Sequence, residues 1–326
     1  MYDKPIAAAI DAPAAPRVYT AIATDGSQIP LDRHAAASCY VINVGEIAIH
    51  YGTGDRPHLF SNAELFFKDS DLLAGNDFGF INEQTLGTRR TIAECEAARK
   101  LIVAHANRES AIALMDGTLI LWAQEAERDD EKQKAIAAFM GLLNDAQSHA
   151  MPIAGYLSRP GSREVVNALR VTLCTCTPVA CNPCAVSPRP CDALNRLTDA
   201  QLFRRTLGSG QRSGLFESKS KVIDSYEPEH RIAFYYINVG SEIARVEVPM
   251  WVARSDELLH RTHALIMDQA AKGQGYPITL LEAHEQAIVR GPEREAFQRL
   301  VESALIRSNL PITHSRKSLA KRYRTI

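Results

Sequence analysis

The chain has 326 residues, a formal net charge of -1 and a hydrophobic content of 46%. This composition can build a large core, and the balanced charge argues against binding nucleic acid through an overall basic field, so such a contact would need a local basic patch. No apolar run approaches the roughly 20 residues of a membrane span, and charges interrupt the Ala/Pro-rich N-terminus, so we expect a soluble, cytoplasmic protein with no membrane contact.

The predicted elements begin after a loosely ordered N-terminal arm, residues 1–16. Apolar runs predict a strand at 18–24 and a hairpin of residues 39–44 and 47–51 around Gly45-Glu46. Further along, the patterns predict a helix at 90–106, a strand ending at Asp116, a helix at 125–148 and a strand at 152–158. A helical or extended segment at 165–173 and a short helix at 199–207 follow. The last predicted elements are a second hairpin of 232–238 and 243–248 and three helices at 255–272, 278–289 and 292–308.

This order of elements predicts one α/β domain over residues 17–313, with a mixed sheet flanked by helices. Residues 174–192, rich in cysteine and proline, are expected to be an insertion, and residues 314–326 a basic C-terminal tail. The two hairpins share a short sequence, Tyr-Val-Ile-Asn-Val-Gly at 40–45 and Tyr-Ile-Asn-Val-Gly at 236–240, which we interpret as similar turn chemistry rather than duplication.

Two carboxylates occupy the same local sequence. Asp25 and Asp116 each end a short apolar run and are followed by Gly and then Ser or Thr. A carboxylate at the stiff end of a core strand is suited to hold a hard divalent cation, although an Asp in this context can also cap its own turn.

Five of the seven cysteines are crowded into one stretch, and the set Cys174, Cys181, Cys184 and Cys191 can supply four thiolates, with Cys176 as a fifth thiol. In a cytoplasmic chain this pattern favours a structural zinc or an iron–sulfur cluster, while free thiols or a disulfide are the alternatives.

Eight stretches, in order over about 260 residues, resemble the NurA nuclease domain. They are Asp25-Gly26-Ser27-Gln28, Asp116-Gly117-Thr118-Leu119, Gly155-Tyr156-Leu157-Ser158-Arg159-Pro160, Thr198-Asp199-Ala200-Gln201-Leu202-Phe203, Arg212-Ser213-Gly214-Leu215-Phe216, Arg245-Val246-Glu247-Val248-Pro249, Gly275-Tyr276-Pro277 and Ala283-His284-Glu285. The resemblance implies an RNase H-like fold of the kind seen in Argonaute nuclease domains. It also implies a Mn²⁺- or Mg²⁺-dependent deoxyribonuclease, a 5′–3′ exonuclease and single-strand endonuclease, that forms a homodimer and works with a HerA-type hexameric ATPase in DNA end resection and repair.

The same resemblance implies further site residues. A Glu on the helix before the second Asp strand is expected to be a metal ligand, and Glu94 and Glu96 are the candidates. They lie about 200° apart around a helix, so only one can face a site, and Glu94, four residues after Arg90, fits the family pattern better. His284 is the fourth expected ligand, and Tyr276 is expected to orient a phosphate or a water. The hypothesis is therefore one metal site of Asp25, Glu94, Asp116 and His284.

The remaining polar residues of these motifs have structural alternatives. Asp199 either approaches the metals or caps the helix that follows it, and capping is favoured. Glu247, two residues after Arg245 on one strand, is the natural ion-pair partner of Arg245. Arg159 and Arg212 are expected to contact phosphate or to pair with carboxylates, and the basic tail from residue 314 either contacts phosphate or an acidic partner or is a solvated end.

The sequence contains no Walker-type phosphate loop, so ATP hydrolysis in any DNA-processing reaction would come from a partner. The family resemblance implies single-stranded DNA and duplex ends as the substrates. Two other functions remain open, a non-catalytic subunit that clamps a translocase on DNA and a thiol–metal sensor centred on the cysteines.

Overall fold

The structure is a computed structural model, and it describes residues 4–32, 35–73, 79–122, 129–176, 179, 184 and 189–309. The chain divides into two compact units that are interleaved along the sequence. The first unit takes residues 1–17, 114–120 and 152–278, and the second takes residues 18–113, 121–151 and 279–326. The sequence predicts one domain over residues 17–313, a span that contains most of both units.

The second unit is built on three long antiparallel strands. β2 (Tyr19–Ile29) pairs with β3 (Tyr40–Tyr51), and β3 pairs with β4 (His58–Phe66). The strand β5 (Ala111–Asp116) begins in this unit, where the Thr20 N–H donates to the carbonyl of Ser110 beside it. The helices of this unit are α1 (Asp69–Leu72), α2 (Glu83–Ala104), α3 (Asp129–Ser148), α8 (Ile278–Ala287, whose first residue belongs to the first unit) and α9 (Gly291–Arg307).

The side chains of β3 alternate between its two faces, and both faces are covered by other elements. Tyr40, Ile42 and Val44 join a buried cluster with Leu86 and other residues of the α2 side. Asn43 and Gly45 face the opposite way, toward α8. The largely apolar sequence of this strand thus reflects burial on two sides.

The first unit has its own antiparallel strands. β10 (Ile243–Pro249) lies between β6 (Ile153–Leu157) and β9 (Ile232–Asn238) and pairs with both. Shorter strands extend this arrangement: β1 (Ile10–Asp11) pairs with β7 (Gln211–Arg212), and both β7 and β8 (Phe216–Glu217) pair with β9. The helices are α4 (Glu164–Thr172), α5 (Asp199–Phe203), α6 (Met250–Ala253) and α7 (Asp256–Lys272).

An aromatic cluster forms the core of the first unit. Phe203, Phe234 and Tyr236 are buried together, and the rings of Phe203 and Tyr236 stack at a centroid distance of 4.7 Å. Burial of aromatic side chains of this size contributes much of the hydrophobic stabilisation available to a unit of this length.

Two sequence predictions at glycines are wrong. Gly45 was predicted to turn a hairpin, but it lies inside the continuous strand β3, opposite Asp25 of β2. Gly26 was predicted to end a strand, but β2 continues through it to Ile29. At both positions glycine makes no turn; it leaves room for atoms of a helix that packs against the strand.

Most other elements agree with the sequence prediction within a few residues. The second hairpin, the strand at 153–157 and the three C-terminal helices are confirmed. The strand β4 and the first seven residues of α2 were not predicted. Within the N-terminal arm, Ile10 and Asp11 are paired with β7. Across the described ranges, the helices are too short or too polar to cross a lipid bilayer.

Candidate active site

Asp25 and His284 are brought together in the second unit. The Nδ1 atom of His284 lies 2.9 Å from Oδ2 of Asp25, although 259 residues separate them in the chain. The other carboxylate oxygen, Oδ1, accepts the Gly26 N–H at 2.8 Å. Both side chains reach solvent, with 21% of Asp25 and 53% of His284 exposed. Because an ionised carboxylate only accepts, we assign the hydrogen to Nδ1, which leaves the lone pair of a neutral ring on Nε2.

The end of helix α8 is anchored to the strands beneath it. The carbonyl of Ala287 accepts hydrogen bonds from Asn43 Nδ2 at 2.7 Å and from Ser27 Oγ at 2.5 Å. Gly45 lets the helix approach, because a Cβ there would lie 2.4 Å from the carbonyl oxygen of Ala283. The position of His284 on α8 is therefore fixed by polar contacts and by the absence of a side chain on β3.

Glu94 is held against β2 by the helix α2. The hydroxyl of Thr24 donates to the Glu94 carbonyl at 3.1 Å, and the Glu94 carboxylate occupies the space above Gly26, where a Cβ would lie 2.4 Å from its Oε1 atom. Arg90 Nε lies 3.2 Å from the same oxygen, and only 17% of the Glu94 side chain is exposed. Glu96 is solvent-exposed. The structure thus places Glu94, and not Glu96, beside the strand that carries Asp25.

The donor set of this cluster fits a hard or borderline divalent ion. Asp25 and Glu94 offer carboxylate oxygens and His284 a ring nitrogen, which are the ligand types that Mn²⁺ accepts. The Asp25 carboxylate contacts His284 of α8, and the Glu94 carboxylate reaches the neighbouring Gly26 from α2. Within the described ranges, no three His, Cys, Asp or Glu side chains are already arranged around one point that could hold a metal ion.

In the first unit, Asp116 is paired with Tyr276. The Tyr276 hydroxyl donates to Oδ1 of Asp116 at 2.8 Å. The predicted sharp exit after Asp116 is confirmed, because Gly117 has a φ of +96° and its N–H donates to the Tyr156 carbonyl at 2.9 Å. The ring of Tyr276 also meets the ring of Tyr156 edge-on, at a centroid distance of 5.4 Å.

The loop after Asp116 is fixed by a buried carboxylate. Glu247 Oε2 accepts the Thr118 hydroxyl at 2.7 Å and the Leu119 N–H at 2.8 Å. Its Oε1 accepts Arg245 Nε at 2.8 Å, which confirms the predicted ion pair. Sequence reasoning missed the bonds to the loop, because they join residues nearly 130 positions apart.

Arg245 is a structural residue of the first unit. It is 2% exposed and also pairs with Glu164 at 2.6 Å. Burial alone would lower the pKa of this guanidinium, but the charges of Glu247 and Glu164 raise it above its usual value. Arg212 is also buried, and burial lowers its pKa. Neither arginine is available to a phosphate at the surface, whereas the Arg159 side chain is 90% exposed.

Asp199 caps a helix, but not the one predicted. Thr198 is the N-cap of α5, and Asp199, which is fully buried, accepts the N–H groups of Val165 and Val166 in the first turn of α4. The Tyr236 hydroxyl also donates to it, at 2.8 Å. Asp199 therefore serves the core of the first unit.

The cysteine segment is only partly described. Cys174, Cys176, Cys184 and Cys191 carry free thiols, and Cys181 lies outside the described residues. The Sγ atoms of Cys176 and Cys184 are 4.0 Å apart, and this contact raises the Cys176 pKa. Cys176 was not in the predicted ligand set. A zinc or iron–sulfur site that includes Cys181 stays a prediction.

The chain matches the family model of the NurA domain over residues 19–289. Among solved structures it is similar to the NurA nuclease from Sulfolobus solfataricus, at 12% identity and a TM-score of 0.57, with 92% of this chain and 88% of that chain covered. The fold shared with this structure confirms the predicted fold class, an RNase H-like mixed sheet flanked by helices. A comparison with curated protein sequences finds no match.

Two further structures align at lower scores. The catalytic domain of human endonuclease V has 13% identity and a TM-score of 0.34, covering 90% of this chain and 85% of its own. LC9-RNase H1, a type 1 RNase H, has 14% identity and a TM-score of 0.24, covering 48% and 72%.

Proposed function

The chain belongs to the NurA family, and from this premise we propose that it is a metal-dependent deoxyribonuclease that hydrolyses phosphodiester bonds in single-stranded DNA and at duplex ends. Family and fold together identify a nuclease. The main structural support for the proposed site is the hydrogen bond between Asp25 and His284. Both side chains are partly exposed and come from distant parts of the chain. The carboxylate of Glu94 lies against Gly26, the residue next to Asp25.

Each residue of this cluster has a definite chemical task. Asp25 and Glu94 supply anionic oxygens for Mn²⁺ or Mg²⁺, and a bound ion of this kind supplies Lewis-acid activation of water and neutralises charge on the phosphate. The Asp25 carboxylate orients the His284 ring through Nδ1, so the basic Nε2 can ligate the ion or accept a proton. Arg90 forms an ion pair with Glu94 and holds its carboxylate in place.

We assign Asp116 as a further ligand and Tyr276 as the residue that orients it. The hydrogen bond from Tyr276 fixes one oxygen of Asp116, and the Glu247 contacts fix the loop that follows. A carboxylate held in this way loses little side-chain freedom when it binds a cation, which favours tight and specific ligation.

The test replaces each proposed ligand with its amide. Asp25→Asn and Asp116→Asn keep the shape of the side chain but remove its charge, so we expect each to lower cleavage of labelled single-stranded DNA with Mn²⁺ at least about a hundredfold. The melting temperature should stay near that of the wild type. Full activity in either variant would remove that residue from the mechanism, and binding without cleavage by the wild type would indicate a clamping subunit instead.

The proposal includes 5′–3′ polarity and a HerA-type hexameric ATPase as partner. The absence of a phosphate-loop motif from the sequence supports a separate motor. Degradation of 5′- and 3′-labelled strands, with and without the ATPase and ATP, tests both. Loss of label from the 3′ end first would reverse the polarity.

We also propose a homodimer formed through the second unit. β4 exposes large apolar side chains, among them Leu59 and Phe60, and α9 buries none of its residues while exposing Leu300 and Ile306. Apolar surface of this kind is costly to leave in water and typically marks an interface. Light scattering measures the mass directly, and a monomer at micromolar concentration would contradict the proposal.

A further inference from the structure

A cavity of about 340 Å³ opens in the first unit, outside the proposed catalytic residues. Its volume lies within the range of cavities that hold small ligands. Two arginines, Arg159 and Arg204, line it together with Ser241 and Glu242.

Arg159 is held over this cavity in a strained conformation. Its φ of +45° lies in the left-handed region, which a side chain with a Cβ seldom adopts. Glu242 Oε2 lies 3.7 Å from its Nε atom, yet 90% of the Arg159 side chain remains exposed. Strain of this kind persists where the surrounding structure demands it, and ligand clamps are one such place.

The carboxylate of Glu242 accepts hydrogen bonds from two hydroxyl groups. Ser158 Oγ donates to it at 2.8 Å and the Tyr156 hydroxyl at 3.3 Å, and burial raises the pKa of that tyrosine, so it remains a donor. The Glu242 carboxylate, held by these two hydrogen bonds, lies beside the Arg159 guanidinium and orients it. Arg204, which also lines the cavity, is exposed and donates no side-chain hydrogen bond within the described part of the chain.

The cavity is linked to Asp116 by direct contacts. Tyr156, which donates to Glu242, packs edge-on against Tyr276, and Tyr276 donates to Asp116. Gly275 brings the two regions close, because a Cβ there would lie 2.4 Å from Oγ of Ser241 at the cavity wall. A ligand in the cavity would thus lie a few side chains from a proposed metal ligand.

We infer that this cavity binds a phosphate group of the nucleic-acid strand, with Arg159 and Arg204 as its two cationic contacts and the Ser241 hydroxyl as a further donor. The inference rests on the proposed nuclease function and adds to it a subsite that positions the strand. Two guanidinium groups and a hydroxyl offer donors to several oxygens at once, which is the chemistry that phosphate selects. The group bound is either a terminal phosphate or an internal phosphodiester.

Binding is measured without cleavage, in EDTA, by fluorescence polarisation of labelled single strands. Three substrates are compared: a linear strand with a terminal phosphate, the same strand with terminal hydroxyls, and a circular strand. We expect Arg159→Ala and Arg204→Ala each to weaken binding about tenfold, because each removes a charge-assisted hydrogen bond to the phosphate. Arg205→Ala, which removes an exposed arginine next to Arg204 but outside the cavity wall, is the matched control and should bind as the wild type.

The substrates separate the two sources of phosphate. A loss confined to the phosphorylated strand assigns the cavity to a terminal phosphate, and an equal loss on all three assigns it to an internal one. Wild-type affinity in both cavity variants, or an equal loss in Arg205→Ala, overturns the inference. If the wild type binds and cleaves DNA but the cavity variants are unaffected, only the subsite fails; if the wild type does neither, the proposed function itself fails.

Discussion

At the scale of the residue, position on a helix separates two carboxylates that are nearly adjacent in the sequence. Glu94 packs over Gly26 and pairs with Arg90, whereas Glu96 extends into solvent. Glycine at position 26 makes room for this contact, since a Cβ there would lie 2.4 Å from Oε1 of Glu94 and would displace its carboxylate. The pair therefore offers a proposed metal ligand and its control on the same helix.

We predict that Glu94→Gln abolishes most Mn²⁺-dependent cleavage while Glu96→Gln leaves it unchanged. Removing the Glu94 charge takes away a hard ligand, and we expect a loss of at least about a hundredfold in cleavage rate at saturating DNA. The rate is measured against Mn²⁺ concentration for both variants. Equal activity of the two would show that the family pattern assigns the wrong role to Glu94.

At the scale of the element, helix α8 depends on one residue of β3 that has no side chain. The backbone of Ala283 and Ala287 lies where a Cβ of residue 45 would be, at 2.4 and 2.8 Å. Backbone atoms cannot rotate away as a flexible side chain can, so a methyl group there displaces the helix that carries His284.

We predict that Gly45→Ala lowers the free energy of unfolding by about 1–3 kcal/mol and lowers nuclease activity with it. Gly87→Ala, inside α2 and with open space around its Cβ position, should instead raise the stability by about 0.5–1 kcal/mol, because alanine favours the helix. Urea unfolding and a cleavage assay on the two variants provide the comparison. A fully stable and active Gly45→Ala variant would mean that α8 can move without loss.

At the scale of the whole molecule, several histidines are held in their neutral form in both units. Burial lowers the pKa of His263 to about 4 and also lowers the pKa of His230, His50 and His105. In the unfolded chain these groups have a pKa near 6.5, so the unfolded state binds more protons below that pH. The stability they confer is present above about pH 6.5 and is lost as the pH falls toward 4.

We predict that the free energy of unfolding falls steeply between pH 7 and pH 4, with about 3 kcal/mol of the change due to His263. His263→Gln should flatten the slope of this free energy against pH, whatever its effect at pH 7. His149→Gln, at an exposed position, is the control and should keep the wild-type slope. Urea unfolding in EDTA at several pH values measures all three, and parallel slopes would contradict the assignment.

Local sequence predicted those features that local chemistry decides. The strand predicted to end at Asp116 does end there, and Gly117 follows it with a left-handed φ of +96°. The same reasoning failed at Gly45. The similar stretches that end at Gly45 and Gly240 differ because Gly240 turns with a φ of +92°, whereas Gly45 meets a helix more than 230 residues away.

In the candidate site, too, local sequence identified candidate residues but not the contacts between distant segments. The sequence motifs identified Asp25 and His284 as candidates, but only the fold shows that one orients the ring of the other. Asp199 was assigned to its own helix because sequence reveals the nearest N-terminus, whereas the buried carboxylate serves the one at Val165. Contacts between distant segments are set by packing, which local sequence does not record.

The interleaving of the two units has a consequence for the order in which the protein is made. Each unit is assembled from three separate stretches, so no single cut in the chain releases either one whole. A polypeptide emerging from the ribosome carries Asp25 and Asp116 early, but it acquires its partner imidazole only at position 284. Products of interrupted translation that stop before residue 284 would therefore lack the Asp25–His284 pair, and because we propose that this pair acts in cleavage, we expect them to be inactive.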